Sequence, residues 1–158
     1  CVCLNAESSL QLKQISLHDQ DRFTRKTFYS DGKIVVSVVF DCLRPVKDMR
    51  VALQIVDENN YPILMSQNLD DSDVVTSFFN LETGRYKAEC ILSENIFSNR
   101  EYYLTVHLVI PGEEHVVANK ILSFDVIFKG YNNVRLRGNI QGLTRPLFNW
   151  VMQKEPVV

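Results

Sequence analysis

The chain has 158 residues, 46% of them hydrophobic, which suits one domain with a sizeable buried core. Its net charge of -2 gives no electrostatic drive toward nucleic acid or an anionic membrane surface. No apolar run approaches the roughly 20 residues that span a bilayer. The opening residues, Cys1-Val2-Cys3-Leu4-Asn5, lack an initiating Met, a basic stretch and a long apolar stretch, so they do not read as a secretion signal. The chain is therefore expected to be part of a longer protein.

In chain order, a first strand is predicted near Leu10–Leu17, followed by a polar, basic link over Asp19–Lys26. Ile34, Val36, Val38, Phe40 and Cys42 alternate with Val35, Ser37, Val39 and Asp41, the period of a central strand. Met49, Val51, Leu53 and Ile55 alternate in the same way with Arg50, Ala52, Gln54 and Val56. Asp57-Glu58-Asn59-Asn60 is turn chemistry leading into a strand at Tyr61–Gln67. Further strands are predicted at Val74–Asn80, Arg85–Ser93, Glu101–Ile110 and His115–Phe128, the last two joined by a hairpin at Pro111-Gly112-Glu113-Glu114. The only helical expectation is a turn or two at Glu94–Phe97. Short strands with turns at regular spacing predict an all-β antiparallel sandwich. Residues 1–29 form its entry, 30–128 its core and 129–158 a C-terminal tail. Val134–Arg137 and Leu147–Val151 are expected as late strands. A tail carrying Leu147, Phe148 and Trp150 is expected to pack on this domain or on a partner subunit.

The four cysteines do not predict a disulfide framework. Cys1 and Cys3 lie at the terminus, and Cys42 and Cys90 fall on inward positions of different strands, where a free thiol acts as a small hydrophobe. No Asn-x-Ser/Thr sequon is present, and a reduced compartment is expected. A metal site at Cys1-x-Cys3 lacks two further ligands at suitable spacing. Asp70, Asp71 and Asp73 would suit calcium by type, but loop solvation and turn formation explain them as well. Arg22, Arg25 and Lys26 read first as a solvated linker and second as a contact for an acidic polymer cap or a nucleotide-binding domain.

No catalytic motif stands out. The chain has no Gly-x-x-x-x-Gly-Lys-Ser/Thr loop for nucleotide, and no Gly-x-Ser-x-Gly or His-x-x-x-His. Glycoside hydrolysis needs two carboxylates about 5 to 9 Å apart across a cleft, a spacing that some of the 19 acidic residues will meet by accident. A sugar-binding face fits the pattern better. With Leu104, Val106, Leu108 and Ile110 inward, Tyr103, Thr105 and His107 point outward, because side chains alternate along a strand. The neighbouring strands would add Arg50, Gln54, Ser123 and Asp125 to the same face. Tyr103 ranks first among the seven, as an outward aromatic costs solubility unless used. The competing account is an ordinary solvated sheet face, or one that docks a protein.

Several motifs in order carry a resemblance. Gly32–Phe40, Asp57–Pro62, Gly84-Arg85-Tyr86 with Cys90 and Ile91, Asn95–Tyr102, Leu122–Val126 and Gly138–Gly142 with Arg145-Pro146 and Trp150 follow one another as in a known family. Over roughly residues 30–150 the chain resembles the C-terminal domain of Wzt, the ATP-binding subunit of ABC transporters that export O-antigen and related polysaccharides. It departs from that pattern where Asn60 and Arg100 replace glycines. The resemblance implies an immunoglobulin-like, non-catalytic, carbohydrate-binding sandwich that recognises the exported polymer, often at its non-reducing end, and licenses its transport. It also implies a homodimer in which a terminal strand, here Val134–Trp150, is exchanged. The implied partners are an attached nucleotide-binding domain, to which ATP and Mg²⁺ belong, and a membrane permease. The implied location is the cytoplasmic face of the bacterial inner membrane. This domain itself would need no cofactor.

Overall fold

The computed structural model describes residues 8–70 and 80–128. Eight strands follow in order: β1 (Leu10–His18), β2 (Thr27–Tyr29), β3 (Ile34–Cys42), β4 (Arg50–Asp57), β5 (Pro62–Gln67), β6 (Gly84–Leu92), β7 (Arg100–Ile110) and β8 (Glu114–Ile127). One 3₁₀ turn at Asn68–Asp70 follows β5. The strands form two sheets, β1-β3-β6 and β2-β8-β7-β4-β5, which pack as an all-β sandwich. All pairs are antiparallel except β2 with β8, which run parallel for three residues. The expected strand at Val74–Asn80 falls almost entirely outside the described residues. The expected late strands at Val134–Arg137 and Leu147–Val151, and with them the question of strand exchange, lie wholly outside.

The alternation of the sequence becomes the core. Val36, Val38 and Phe40 of β3 face Leu53 and Ile55 of β4, Leu104, Val106 and Leu108 of β7, and Phe124 and Val126 of β8, all within one buried cluster. Burying each such side chain contributes on the order of 1.5–3 kcal/mol. Val35 and Ser37, which point to the other face of β3, are buried as well. Cys42 and Cys90 are free thiols on adjacent strands, one buried and one half-buried, and burial raises both above the usual thiol range.

One corner is aromatic. Phe97 lies edge-on to Phe124 at 5.6 Å between ring centroids and tilted against Tyr102 at 4.8 Å, while Tyr102 stacks on Phe124 at 5.5 Å. The Tyr102 hydroxyl accepts a hydrogen bond from the Ser98 N–H at 2.9 Å and donates to the Ser98 carbonyl at 3.1 Å. A tyrosine near the start of a strand bonding to backbone just upstream is the tyrosine corner of Greek-key sandwiches. Ahead of it, Glu94 and Asn95 form a turn rather than the helical turn expected at Glu94–Phe97. Asn95 sits at φ 62°, a left-handed conformation that asparagine tolerates and helix continuation forbids, and its N–H donates to the Ser30 carbonyl at 2.7 Å.

The link at Asp19–Lys26 is held by ion pairs. Arg22 meets Glu89 at 2.7 Å and Arg25 meets Asp19 at 2.9 Å, which gives these arginines a structural occupation. It leads into β2, which sequence periodicity did not mark.

Candidate functional site

The seven outward residues do share one face. Strand register pairs Gln54 with Thr105, Val56 with Tyr103, Tyr103 with Ser123 and Ala52 with His107, placing all of them opposite the fully buried Ile55, Leu104 and Phe124. Arg50 sits against Val109 and Asp125 against Glu101 on the same side. β4, β7 and β8 are adjacent in the order the sequence argument assumed.

The face is not the continuous row that alternation suggests. Between the pairs Leu104–Leu122 and Val106–Ala118, β8 places Asn119, Lys120 and Ile121 opposite the single residue Thr105. This bulge covers Thr105, leaving it only 4% exposed. The Thr105 hydroxyl accepts from the Lys120 N–H at 3.0 Å and donates to Asn119 Oδ1 at 3.2 Å. Thr105 thus fixes the bulge from beneath instead of meeting solvent. The face divides into two polar groups on either side of it.

On one side His107 Nδ1 lies 3.0 Å from His115 Nε2. Burial, then the neighbouring His115, holds the His107 imidazole below its ordinary pKa. His107 Nε2 and Arg50 Nε are buried with no hydrogen-bond partner among the described residues. Buried polar atoms in native proteins nearly always have a partner, so the two mark a place where one is owed.

On the other side stands half-buried Tyr103, whose hydroxyl donates to Glu101 Oε2 at 3.0 Å. That bond, then burial and the charges of Glu101, Glu58 and Asp125, pushes the phenol up. Lys120 Nζ lies 5.4 Å from the Tyr103 ring centroid and donates to Asn60 Oδ1. Asn60 is placed by the β4–β5 turn. Asp57 Oδ1 accepts from the Asn59 and Tyr61 N–H groups at 2.9 Å each, and Asn60 itself adopts φ 67°. The asparagine standing where the family pattern has a glycine thus takes a left-handed conformation, one that glycine adopts without cost. Arg100, which replaces the other glycine, reaches Asp57 Oδ2 at 3.1 Å.

Sequence reasoning missed Lys120, Asn60, His115 and Glu101. Lys120 left a trace: it falls on the inward parity shared by Ala118, Leu122, Phe124 and Val126, and a lysine in a core row signals a bulge. Asp70, the one described member of its acidic cluster, accepts from Ser66 Oγ at 3.1 Å and the Gln67 N–H at 2.9 Å. It is a turn residue here, and no group of three potential metal ligands occurs among the described residues.

No family model and no curated protein sequence matches the chain. Solved structures do match in fold. The C-terminal domain of Wzt superposes with a TM-score of 0.66, covering 86% of this chain and 85% of that one at 6% sequence identity. This chain has a fold similar to that domain's. A Niemann-Pick type C2 protein from the Japanese carpenter ant follows at a TM-score of 0.52 and 12% identity, covering 82% of this chain and 98% of that one. The likeness to Wzt agrees with the sequence motifs in kind of fold.

Proposed function

We propose that this chain is a carbohydrate-binding domain that recognises a polymer and performs no chemistry on it. Its ligand in this reading is an exported polysaccharide of the O-antigen type, taken at its non-reducing terminus. Binding would license export by an ABC transporter whose nucleotide-binding domain is attached to this one and whose permease crosses the inner membrane. The domain would then act as a homodimer at the cytoplasmic face, and two weak sites would gain avidity on one polymer.

The observation that carries the proposal is the composition of the outer face of β4, β7 and β8. It combines an aromatic ring, Tyr103, with amide, hydroxyl, imidazole, guanidinium and carboxylate groups, and it holds two buried polar atoms, Arg50 Nε and His107 Nε2, that find no partner among the described residues. Sugars present hydroxyls that both donate and accept, beside C–H faces that lie against aromatic rings, and this face offers complements to both. The Wzt-like fold supports the same reading.

The test is binding to polysaccharide from the source strain beside an unrelated polysaccharide, with Tyr103→Ala and His107→Ala as variants. Selective binding lost in both variants is expected. Selective binding retained in both would move the site elsewhere on the domain. No binding by folded protein would reject the sugar reading in favour of protein docking on this face.

A further inference from the structure

The bulge of β8 does more than interrupt a strand. A bulge re-aims a side chain, and this one takes Lys120 out of the core row and turns it across the outer face. Lys120 sits at φ 44°, a left-handed conformation that costs energy for a residue with a Cβ. The strained backbone is held by buried Thr105, which accepts from the Lys120 N–H and donates to Asn119. At the far end, the ammonium is held by Asn60, itself left-handed at φ 67°, on a turn organised by Asp57. Two non-glycine left-handed residues, one in the β8 bulge and one on the β4–β5 turn, are therefore joined by the hydrogen bond that holds the Lys120 ammonium over the Tyr103 ring. Lys120 makes no salt bridge among the described residues, so this placement is not explained by an ion pair.

The charges around the ring restrict what can lie there. Glu101 and Asp125 are register partners on the same face, and Glu58 is carried by the turn next to Asn60. Three carboxylates against one ammonium leave the cluster net negative, which opposes a uronate, sulfate or phosphate. Acceptors (the carboxylates) and donors (Lys120 and the Asn60 amide) beside a ring match a hydroxyl group, which needs one of each.

We propose that Lys120 is the specificity-determining residue of the sugar site, where it selects an uncharged, hydroxyl-bearing sugar against the Tyr103 ring while Glu58, Glu101 and Asp125 exclude acidic glycans. This rests on the carbohydrate-binding reading above. It assigns the ligand's chemical class and the residue that enforces it.

Lys120→Gly is the informative substitution, because glycine relieves the left-handed strain while removing the ammonium. The panel is neutral polysaccharides (mannan, glucan and galactan) and two acidic ones (polygalacturonate and chondroitin sulfate), with thermal unfolding recorded for each variant. Wild-type protein is expected to bind a neutral polymer and neither acidic one. Lys120→Gly should unfold at the same or a higher temperature yet bind about tenfold more weakly, a loss of about 1.4 kcal/mol. Asn60→Gly, which keeps the turn and frees the lysine, should lose less. Preference for an acidic polymer, or unchanged neutral binding in Lys120→Gly, would overturn the assignment and leave the carbohydrate reading intact. Failure of the wild type to bind any polysaccharide would overturn both.

Discussion

Replacing Asp57 by alanine should lower stability by about 3 kcal/mol, and the structure shows where the loss arises. The carboxylate is fully buried and serves three donors: the Asn59 and Tyr61 N–H groups through Oδ1 and Arg100 Nη1 through Oδ2. Asn59 and Tyr61 are exposed residues, so water partly replaces the acceptor, and each of these bonds is worth about 0.5–1 kcal/mol. Arg100 is a different matter. Its side chain is 25% exposed, its Nε is already buried with no partner among the described residues, and removing the carboxylate takes away the one ion pair it makes there. Full burial would put that loss at about 3–5 kcal/mol, and partial exposure reduces it to about 1–2. Asp57→Asn keeps the turn acceptor and removes only the charge, so its cost should be about 1–2 kcal/mol. Urea unfolding with a common m-value would measure both differences, and calorimetry should show Asp57→Ala melting about 6–12 °C lower. A loss under about 1 kcal/mol for Asp57→Ala would refute the argument that this carboxylate holds the β4–β5 turn and Arg100 together.

Three further outcomes are expected. Phe124→Ala removes the ring against which Phe28, Phe97 and Tyr102 pack, and should cost about 3–5 kcal/mol in denaturant unfolding. Tyr102→Phe leaves that packing and removes the hydroxyl that accepts from the Ser98 N–H and donates to the Ser98 carbonyl, so about 1–3 kcal/mol should be lost with no change in far-ultraviolet circular dichroism. Because the folded pKa of His107 is depressed, the unfolded chain binds the proton more readily; stability present above the unfolded value near 6.5 should fall as pH drops through the folded value. His107→Gln should flatten that part of a stability–pH curve, and an unchanged curve would remove His107 as its source.

The strands were legible because burial on one face writes a period of two, and β1, β3, β4, β6, β7 and β8 each carry enough residues to show it. β2 was not, for a physical reason: in Thr27-Phe28-Tyr29 only Phe28 is buried, and a single inward residue has no period. Its partner is parallel and lies near the far end of the described chain, where no local turn announces it. The face of the site was legible from parity alone, yet its interior was not. The bulge opposes three residues to one, so parity is restored after it, and Ser123 and Asp125 still point outward as alternation predicts. What changed is hidden within the interruption: Thr105 is a buried brace, and Lys120, whose parity is that of the core row, lies over Tyr103. The pairing of Arg100 with Asp57 was likewise out of reach, since the two are joined only through the β4–β7 register.

The segment before β3 passes from one sheet to the other and back. β1 belongs to the three-stranded sheet, β2 attaches to the edge of the five-stranded one, and β3 returns to the first. Besides the β2–β8 pairing, two sets of hydrogen bonds near its ends join this N-terminal segment to β8. Glu114 accepts from the Ser8 hydroxyl and the Ser9 and Leu10 N–H groups, while the Ser30 N–H donates to the Ile127 carbonyl beyond β2. These contacts connect the most distant parts of the described chain, whereas the β4–β5 and β7–β8 hairpins close over short turns. Loop-closure entropy therefore favours the hairpins early and leaves the stitch for last. A clasp that fastens after the folding barrier governs how long the native state lasts rather than how quickly it is reached. Glu114→Ala should speed unfolding and leave refolding nearly unaltered in a chevron plot; a slowed refolding limb would place the clasp in the nucleus.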